Sequence, residues 1–368
     1  MKIAILGTRG IPNNYGGFEQ CAESLSIGLV EKGHDVTVYN PDFHPYKKQD
    51  YKGVKIQQIY SPQNYLGSAA SNFVFDYLSL KHAVKQKFDI ILELGLITAA
   101  PAIIFCSKGS SIIVTNLDGL EWKRAKWSPT IRSITKWLEK FGVRNSNYLV
   151  ADNIAIQEYI KHRYNTKSEF IAYGTDEVSD LSIQTIEKYL IKPGGFILTI
   201  ARLEPENNLE LMCDAYLSSN SELPYYIIGN HQTRYGEELK SKYKETNIHF
   251  LGAIFNKQEL DTFRFCAVLY LHGHSVGGTN PALIEAMAAQ AFVVIHNNPF
   301  NKSVVCQDNI SFSTKEDLQE ILNNNDVLSN REQLTQKNLE IINSKYRWDI
   351  IIDKYERYFL KILDHKKV

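Results

Sequence analysis

Residues 267–290 read AVLYLHGHSVGGTNPALIEAMAAQ. The segment opens with a short apolar run, AVLYL, which is typical of a buried strand. A polar turn that contains Gly277 and Gly278 follows. Asn280 is a favourable helix N-cap, and Pro281 suits the first position of the alanine-rich helix that comes next. Strand, glycine turn and helix predict a βα unit, and units of this kind build parallel sheets.

The same segment combines the features of an anion-binding site. Backbone N–H groups of the turn and the dipole of the helix point at the same spot. Glu285 lies about one turn inside the helix, where its carboxylate can accept hydroxyl groups beside a bound anion. A nucleotide presents this pairing, with a diphosphate for the amides of Gly277, Gly278 and Thr279 and a ribose for the acid. The alternative is a buried turn with an incidental glutamate, because glycine pairs are common at such turns.

The bulk composition is that of a globular, two-domain protein. The 368 residues are too many for one ordinary core and fit two domains. Hydrophobic residues make up 44% of the chain and charged residues 22%, as in globular proteins. Lys and Arg together number 41, as do Asp and Glu, so the formal net charge is zero. Nothing in this total attracts a polyanion, and we expect no nucleic-acid partner.

The five cysteines are scattered, and none forms a C-x-x-C pair. This predicts reduced thiols, with neither a disulfide framework nor a zinc site. The sequence starts directly with a predicted strand at 2–6 and shows no signal-peptide pattern. Because no apolar run approaches the length that crosses a bilayer, we expect a cytoplasmic location.

Apolar runs of strand length alternate with helical patterns, which predicts an α/β fold with parallel sheets. The predicted strands are 2–6, 35–39, 89–94, 111–115 and 148–151 in the first half, and 196–200, 225–229, 248–251, 267–271 and 291–296 in the second. The first helix is clear in the sequence. Its shared apolar face is Phe18, Ala22, Leu25 and Leu29, and Gly33 is a natural residue to end it.

The alternation weakens near 175–192 and then restarts. We therefore expect two Rossmann-like, doubly wound domains that face a central cleft, with ligands at the carboxyl ends of both sheets. The predicted domains are 1–176 and 193–345, with a linker at 177–192. A terminal helix at 346–368 has an apolar face that we expect to pack back on the N-terminal domain.

A long polar loop, GTRGIPNNYGG at 7–17, follows the first strand. It does not match G-x-G-x-x-G, which counts against a nicotinamide or flavin enzyme. Gly16 and Gly17 stand at the entry of the next helix, where they would let a ligand approach the backbone. An ordinary loop that uses glycine for positive φ angles explains them equally well.

The second domain opens in a similar way, with ARLEPENN at 201–208 directly after a predicted strand. Arg202 would project from the strand end into the cleft, where a guanidinium can grip a diphosphate with two hydrogen bonds. The alternative is a surface arginine paired with Glu204 or Glu206. The position at the end of a strand favours the binding role.

Another polar segment, DGLEWKRAKW at 118–127, follows the apolar run IIVT. A mix of acids, aromatics and bases is unusual directly after a buried strand. The segment offers acids for sugar hydroxyls, an indole to stack on a sugar face and cations for phosphate: Asp118, Glu121, Trp122, Lys123, Arg124 and Lys126. A solvated, charged loop is the other interpretation.

The helix predicted next has an apolar and a basic stripe. The apolar stripe is Ile131, Ile134, Leu138 and Phe141, and the basic stripe is Arg132, Lys136, Lys140 and Arg144. Three of the four tryptophans, Trp122, Trp127 and Trp137, lie in or beside this segment. A basic amphipathic surface with tryptophans suits an anionic membrane or a phospholipid-linked substrate. A surface helix with its apolar side in the core explains the same stripes.

Several catalytic patterns do not occur in the sequence. There is no Asp-x-Asp of the kind that holds a metal-bound sugar nucleotide, no H-E-x-x-H and no Walker A loop. His272 and His274 are two residues apart at a strand end and so point the same way. Without a third ligand nearby, such a pair is more often polar lining than a metal site, and we expect no metal.

Together these strings resemble the retaining glycosyltransferases of family 4, group 1, which have the two-Rossmann GT-B architecture and use nucleotide-sugar donors. The resemblance covers nearly the whole chain. Within the family, the chain is most similar to the rhamnosyltransferase-like branch of bacterial capsule and cell-surface polysaccharide synthesis. The strings that carry it are GTRGIP with YGGFE, DGLEWKR, RLEPENN, and HGH through Glu285.

The resemblance implies roles for particular residues. Arg202 matches the basic residue that binds the donor diphosphate, and Glu285 matches the glutamate that binds the nucleotide's ribose. Gly16 and Gly17 match the loop that approaches the donor phosphates. Asp118 falls where the family has a polar residue near the transferred sugar.

These residues belong to three expected sets. The catalytic set is Arg202, Asp118 and Glu285. The donor set is Gly16, Gly17, Arg202, Asn207, His274, Gly277, Gly278, Thr279, Asn280 and Glu285. The acceptor set is Asp118, Glu121, Trp122, Lys123 and Arg124.

Two positions depart from the family's pattern. Asn207 stands where the family usually has a lysine, and Gly277 stands where it has a glutamate that reads the donor sugar. Backbone N–H groups at 277–279 would then meet the sugar hydroxyls. Many relatives with the full glutamate pair use UDP- or GDP-sugars, whereas this branch is similar to enzymes that use dTDP-rhamnose. We expect dTDP-rhamnose as the donor, with a UDP- or GDP-sugar as the alternative.

The resemblance thus implies a metal-independent, retaining hexosyltransferase with no cofactor, which moves rhamnose onto a lipid-linked saccharide. The N-terminal domain would bind the acceptor and the C-terminal domain the nucleotide sugar. The leaving diphosphate would take the acceptor's proton without a covalent intermediate. We also expect peripheral contact with the anionic inner face of the plasma membrane. A non-catalytic nucleotide-sugar-binding subunit of the same fold is a further alternative.

Overall fold

The computed structural model describes residues 1–14, 16–106, 110–124 and 127–366. Tyr15 and Lys126, which belong to two of the motifs above, lie outside these ranges. The chain forms two compact units. The first contains the described residues of 1–123, 127–174 and 348–368, and the second contains those of 124–126 and 175–347.

The first unit is an eight-stranded sheet with helices. Its strands are β1 (Lys2–Leu6), β2 (Asp35–Pro41), β3 (Asp50–Tyr51), β4 (Val54–Ile59), β5 (Ile90–Glu93), β6 (Ile112–Leu117), β7 (Tyr148–Ala151) and β8 (Glu169–Phe170). Its helices are α1 (Gly17–Glu31), α2 (Gln63–Lys85), α3 (Leu96–Cys106), α4 (Pro129–Asn145), α5 (Ile154–Tyr164) and α14 (Trp348–Lys366), with a 3₁₀ turn at Glu121–Lys123.

The strand order of this sheet is β3-β4-β2-β1-β5-β6-β7-β8, and every pair is parallel except β3 with β4. The order reverses between β1 and β5, as in doubly wound folds. Strand β1 is apolar and nearly fully buried, as expected for a strand covered on both faces. The loops that follow β1, β5 and β6 therefore lie at the ligand-binding edge of the sheet.

The terminal helix packs on the first helix of the same unit. Gly28 in α1 meets Ile352 of α14 so closely that a Cβ at this glycine would lie 2.2 Å from Ile352 Cδ1. Lys32 Nζ also lies 2.7 Å from Asp353 Oδ1. The prediction that the terminal helix packs back on the N-terminal domain is confirmed.

The second unit is a six-stranded parallel sheet with helices. Its strands are β9 (Ile197–Ile200), β10 (Tyr225–Ile228), β11 (Ile248–Gly252), β12 (Leu269–His272), β13 (Val293–His296) and β14 (Ser311–Phe312). Its helices are α6 (Gln184–Glu187), α7 (Leu209–Ser218), α8 (Arg234–Lys242), α9 (Lys257–Cys266), α10 (Pro281–Ala288), α11 (Pro299–Lys302), α12 (Lys315–Asn323) and α13 (Arg331–Ile341). Turns of 3₁₀ helix lie at Pro205–Asn207 and Asn325–Asn330, and a π-helical turn at Ile342–Tyr346.

The order of this sheet is β11-β10-β9-β12-β13-β14, which is the Rossmann order counted within the unit. It reverses between β9 and β12. The loops after these two strands begin at Ala201 and Gly273. Both of the motifs that the sequence places at strand ends in this unit, RLEPENN and HGHSVGG, therefore stand at the switch point.

The predicted linker at 177–192 is part of the second unit. It contains the short helix α6, and its residues bond to α9. Lys188 Nζ lies 2.9 Å from Glu259 Oε2, and the Tyr189 hydroxyl donates to the same carboxylate. Sequence periodicity misses this packing because α6 has only four residues.

Candidate functional site

The loops after β9 and β12 are tied to each other. Asn208 Nδ2 donates to the Gly273 carbonyl oxygen at 2.8 Å. Ser275 donates from its backbone N and from Oγ to the Glu206 carbonyl oxygen, at 3.0 and 2.7 Å. A Cβ at Gly273 would lie 2.3 Å from the Asn207 carbonyl oxygen, so this close approach requires glycine. The two loops form one preorganised edge.

Arg202 is exposed on this edge, and Asn207 supports its backbone. The Asn207 side chain is buried, and its Nδ2 donates to the Arg202 carbonyl oxygen at 2.6 Å. Within the described part of the chain, the Arg202 guanidinium has no ion pair, so the alternative of a pairing with Glu204 or Glu206 is not realised. The Glu206 carboxylate instead lies 3.5 Å from Arg124 Nη1.

Two histidines of the second unit are neutral; His272 is buried and His274 is half-buried. The rings of His272 and His274 stack, with centroids 4.4 Å apart. Burial and the neighbouring His296 lower the pKa of His272 to about 3. Burial, His272 and the charge of Arg202 lower the pKa of His274 well below its usual range. Nδ1 of His274 has no hydrogen-bond partner among the described residues. A neutral ring beside Arg202 can hydrogen-bond to an anion.

The turn before α10 contains backbone N–H groups that are available to bind an anion. Asn280 caps the helix, since its Oδ1 accepts from the backbone N of Ala282 at 2.9 Å. Gly277 has a φ of 147°, and open space surrounds the position where a Cβ would stand. Across the described ranges, the backbone N–H groups of Gly277 and Gly278 have no hydrogen-bond partner. They meet the requirement for an anion site at a helix N-terminus. Thr279 is buried beside them.

Glu285 lies on the first turns of α10 and is held by an arginine from α9. Arg264 Nη2 donates to Glu285 Oε2 at 2.5 Å, and Nη1 donates to Asp261 Oδ1 at 2.7 Å. The Arg264 side chain is 2% exposed and that of Glu285 is 16% exposed. The sequence gives no sign of this arginine, because a single cation within the pattern of a helix indicates a solvated face.

The first unit has its own strand-end loop, at 7–14, which is held by a buried asparagine. Asn40 Oδ1 accepts from the backbone N of Ile11 at 3.0 Å, and its Nδ2 donates to the Ile11 carbonyl oxygen at 2.7 Å. At the end of this loop, Gly16 is the N-cap of α1 and Gly17 is its first residue.

A buried acid already occupies the N-terminus of α1. Glu19 is 3% exposed, and its Oε1 accepts from the backbone N of Arg9 at 2.8 Å. A Cβ at Gly16 would lie 3.5 Å from Glu19 Oε2. This negative charge weighs against a phosphate at Gly16 and suits a hydroxyl donor. Sequence reasoning missed Glu19 because the helical pattern alone does not show which way its side chain points.

Two further buried acids lie at the same edge of this sheet. Glu93 ends β5, and Asp76 on α2 is close to it. Burial raises the pKa of both carboxyls, to about 7 for Asp76, and the charge of Asp76 raises that of Glu93 further. Glu93 Oε1 accepts from the backbone N of Gly95 at 3.3 Å, and Oε2 has no partner within the described part. The signal in the sequence was a lone acid at the end of an apolar strand.

The predicted acceptor segment is partly self-bonded. Asp118 is half-buried just after β6, and its charge contributes to the raised pKa of Tyr173, after burial. Glu121 Oε1 accepts from Trp127 Nε1 at 2.9 Å. Lys123 is exposed. Arg124 is grouped with the second unit.

Trp122 has neighbours on its ring. Lys136 Nζ lies 4.3 Å from the ring centroid, and the Tyr159 ring centroid lies 6.5 Å away. These contacts compete with the stacking of Trp122 on a sugar, which the sequence predicts.

Much of the predicted apolar stripe of helix α4 is exposed to solvent. Ile131, Ile134 and Trp137 are 40%, 52% and 56% exposed, and only Leu138 of the predicted stripe is buried. The face that packs inward consists of Thr135, Leu138, Glu139, Gly142 and Val143. Of the basic stripe, Lys140 and Arg144 are exposed, whereas Arg132 and Lys136 are half-buried. The outer surface of α4 is thus apolar and basic at once.

The described residues contain neither a metal-binding cluster nor a membrane-spanning helix. Among the described residues, no group of three or more His, Cys, Asp or Glu side chains is arranged to hold a metal ion. None of the described helices is long and apolar enough to cross a membrane.

Two family descriptions match this chain, one for each half. Residues 1–176 match "Domain of unknown function (DUF1972)", and residues 184–339 match "Glycosyl transferases group 1". Residues 184–339 are therefore similar to the group 1 glycosyltransferases. The matched range contains Arg202, His274 and Glu285. The comparison with curated proteins gives no match.

Solved structures show the fold. The chain is similar to sucrose-phosphate synthase from Thermosynechococcus elongatus, with a TM-score of 0.80, 13% identity and 99% of each chain covered. It is also similar to Anabaena HepE in complex with UDP-glucose, with a TM-score of 0.76, 14% identity, and 98% of this chain and 99% of that chain covered. For the catalytic domain of starch synthase IV from Arabidopsis thaliana, bound to ADP and acarbose, the values are 0.76, 12%, and 99% of each chain. The predicted GT-B architecture of two Rossmann-like domains is confirmed.

Proposed function

We propose that this protein is a retaining glycosyltransferase that moves a sugar from a nucleotide-sugar donor to an acceptor hydroxyl. The observation that carries the proposal is the edge at the switch point of the second unit. There the loops after β9 and β12 carry an exposed Arg202, a neutral His274 and the N–H groups of Gly277 and Gly278, which are unpaired among the described residues. Glu285 lies on the helix that follows the second loop. Cations and preorganised N–H donors stabilise a leaving diphosphate, and the carboxylate suits ribose hydroxyls.

The proposed reaction needs only the donor, the acceptor hydroxyl and these groups of the protein. The bond between the anomeric carbon and the diphosphate oxygen breaks, and the bond between that carbon and the acceptor oxygen forms on the same face. The departing diphosphate takes the proton of the acceptor hydroxyl. Arg202 and the amides stabilise the charge that develops on the phosphate oxygens, so the scheme assigns no step to a metal or to a protein nucleophile.

We propose dTDP-rhamnose as the donor, with a UDP- or GDP-sugar as the alternative. Gly277 supplies no carboxylate to the sugar and leaves open space beside the turn. Such a turn can recognise sugar hydroxyls only through its backbone amides. This suits a deoxysugar, which has fewer hydroxyls. HepE is bound to UDP-glucose in its solved structure, which is why UDP-sugars stay in the test.

For the acceptor we propose a lipid-linked saccharide, bound by the first unit in the synthesis of a cell-surface polysaccharide. Asp118, exposed Lys123 and the acids Glu19 and Glu93 border its strand-end loops. The outward apolar and basic surface of α4 supports contact with an anionic membrane surface at the cytoplasmic face, where such an acceptor resides. Next to it, α2 and α3 form an apolar groove that includes Tyr77 and Phe105, which is 77% exposed.

The test is a transfer assay with purified protein. It uses dTDP-rhamnose, UDP-glucose and GDP-mannose, each with lipid-linked glucose or galactose acceptors, in the presence and absence of EDTA. We expect transfer from dTDP-rhamnose, unaffected by EDTA, with the anomeric configuration of the donor kept in the product by NMR.

Other outcomes separate the alternatives. Transfer from a UDP- or GDP-sugar only would replace the donor and keep the reaction. Tight donor binding without hydrolysis or transfer across the acceptor panel would support the non-catalytic subunit, an alternative motivated by Asn207 and Gly277. Failure of every nucleotide sugar to raise the thermal stability of the second unit would exclude a donor site.

A further inference from the structure

A buried arginine stands directly behind Glu285. Arg264 comes from the adjacent helix α9, and its side chain is 2% exposed. Its two terminal nitrogens are used by different acids, Glu285 at 2.5 Å and Asp261 at 2.7 Å. A guanidinium is rarely buried this fully unless it is paired, because moving its charge out of water is unfavourable.

The ion pairs continue outward from this arginine. Lys257 Nζ lies 2.5 Å from Asp261 Oδ2 and is 44% exposed. Asp176 is close by, and its pKa is raised by burial, lowered by Lys257 and raised again by Glu285 and Asp261. Lys257 and Arg264 thus share Asp261, and Arg264 also contacts Glu285.

We propose that Arg264 is a positioning residue for the nucleotide: it fixes the Glu285 carboxylate in one orientation, so that the carboxylate can accept a ribose hydroxyl. This inference rests on the proposed function. Arg264 itself is too buried to meet the nucleotide. It acts through Glu285, whose side chain is 16% exposed.

The hydrogen-bonding properties of a carboxylate give a reason for this arrangement. A carboxylate accepts hydrogen bonds strongly only while it is ionised, and partial burial favours its protonated form. The groups that face Arg264 are Glu285, Asp261 and the Tyr270 hydroxyl. Without the guanidinium, Glu285 would lose its fixed orientation.

The experiment measures how strongly the ribose hydroxyls contribute to binding. UDP and dTDP are each compared with their 2′,3′-dideoxy analogues by calorimetry, over pH 5 to 8. The variants are Glu285→Gln, Arg264→Lys and Arg264→Met/Asp261→Asn, which removes the buried cation together with its buried partner. The matched control is Lys257→Met, which removes the outer cation of the same chain of ion pairs. Thermal unfolding verifies that each variant is folded.

We expect the wild-type protein to prefer the nucleotide over its dideoxy analogue by about tenfold, the value of one hydrogen bond to a charged group. The preference should vanish in Arg264→Met/Asp261→Asn and in Glu285→Gln, while the affinity for the dideoxy analogue stays the same. Arg264→Lys should retain only part of the preference, because lysine keeps the charge but cannot contact Glu285 and Asp261 with a planar fork. Lys257→Met should behave as wild type.

Two results would overturn the inference, and they are distinguishable. If a folded Arg264→Met/Asp261→Asn variant keeps the wild-type preference, Arg264 has a structural role only. If the wild-type protein binds neither UDP nor dTDP, the proposed function fails and the inference fails with it.

Discussion

Gly7 and Glu93 stand at the ends of the neighbouring parallel strands β1 and β5, and a Cβ at Gly7 would lie 2.1 Å from Glu93 Oε1. The same Cβ would lie 2.5 Å from the backbone N of Gly95. The φ angle of Gly7 is 81°, in the left-handed region that favours glycine. The first loop of the chain is thus built directly against a buried acid at the ligand-binding edge of the sheet.

Gly7→Ala should destabilise the first unit strongly. The left-handed backbone costs about 1 kcal/mol for alanine, and the contacts with Glu93 and Gly95 add about 2 kcal/mol or more because a backbone atom must move. All four tryptophans lie in the first unit, so urea unfolding followed by tryptophan fluorescence reports on it selectively.

Gly33→Ala is the matched control for Gly7→Ala. Gly33 has a φ of 85°, but nothing lies within 4 Å of the position of its Cβ. It should therefore show only the backbone cost of about 1 kcal/mol. Equal losses of unfolding free energy in the two variants would show that the contact with Glu93 carries no energy.

Glu93→Gln should change how the stability of the first unit depends on pH. Burial raises the pKa of Glu93 and of Asp76 in the folded state, the latter to about 7, so between their ordinary values and the raised values the folded state binds more protons than the unfolded state. Stability is therefore fully present at acidic pH and is lost as the pH rises toward 7, by at most about 1.4 kcal/mol per pH unit for each proton. Removing one acid should make this decline shallower.

The measurement is the free energy of unfolding at pH 5, 6, 7 and 8, again from tryptophan fluorescence. Glu93→Gln should equal wild type at pH 5 and exceed it at pH 8. The double variant with Asp76→Asn should lose the remaining dependence on this pair. A slope identical to wild type in both variants would mean that the acids titrate normally.

His272→Asn should change the pH dependence of the second unit in the opposite direction. Burial and His296 lower the pKa of His272 to about 3, so below its ordinary value of 6.5 the unfolded state binds more protons than the folded state. Stability is present above pH 6.5 and is lost as the pH falls. Amide hydrogen exchange on β12 and β13, corrected for intrinsic rates, should show a smaller acid loss in the variant. If the loss of protection at acidic pH were the same as in the wild-type protein, this would contradict a neutral His272.

The sequence predicted the architecture because the strands are buried on both faces. Runs such as 3–6 and 148–151 are apolar throughout, and the structure has strands at these positions. Gly33 and Asn280 marked helix ends, since a left-handed residue and an N-cap are local requirements. The strands β3, β8 and β14 have two residues each and carry no periodicity to detect.

The positions of the candidate residues were predictable where they depend on a motif and not where they depend on packing. Arg202, His274 and Glu285 follow strands or begin a helix, so topology alone places them. Arg264 and Glu19 were missed because their importance comes from what they contact at the far end of the side chain. No spacing rule reports that Arg264 meets an acid 21 residues later.

Arg202→Ala should lower kcat/KM by about 100-fold while leaving stability unchanged. The guanidinium is exposed and, among the described residues, makes no ion pair, so its removal costs the fold nothing. A charged hydrogen-bond donor on the leaving diphosphate contributes about 2–3 kcal/mol in the transition state. Arg234→Ala is the control, since Arg234 is 94% exposed on α8 and pairs with Glu238. Similar small effects of both variants would place Arg202 outside the site.

Trp137→Ser should weaken binding to anionic vesicles about tenfold. Trp137 is 56% exposed on the outer face of α4, beside Ile134, and the exposed cations Lys140 and Arg144 lie on the following turns. Burying an indole at a lipid surface contributes about 1–2 kcal/mol. The control is Phe255→Ser, because Phe255 is 84% exposed but lies on a loop of the second unit. Co-sedimentation with vesicles of phosphatidylglycerol and phosphatidylcholine, at low and high salt, measures both variants. Equal loss in the two variants, or wild-type binding that is insensitive to salt, would exclude α4 as the contact surface.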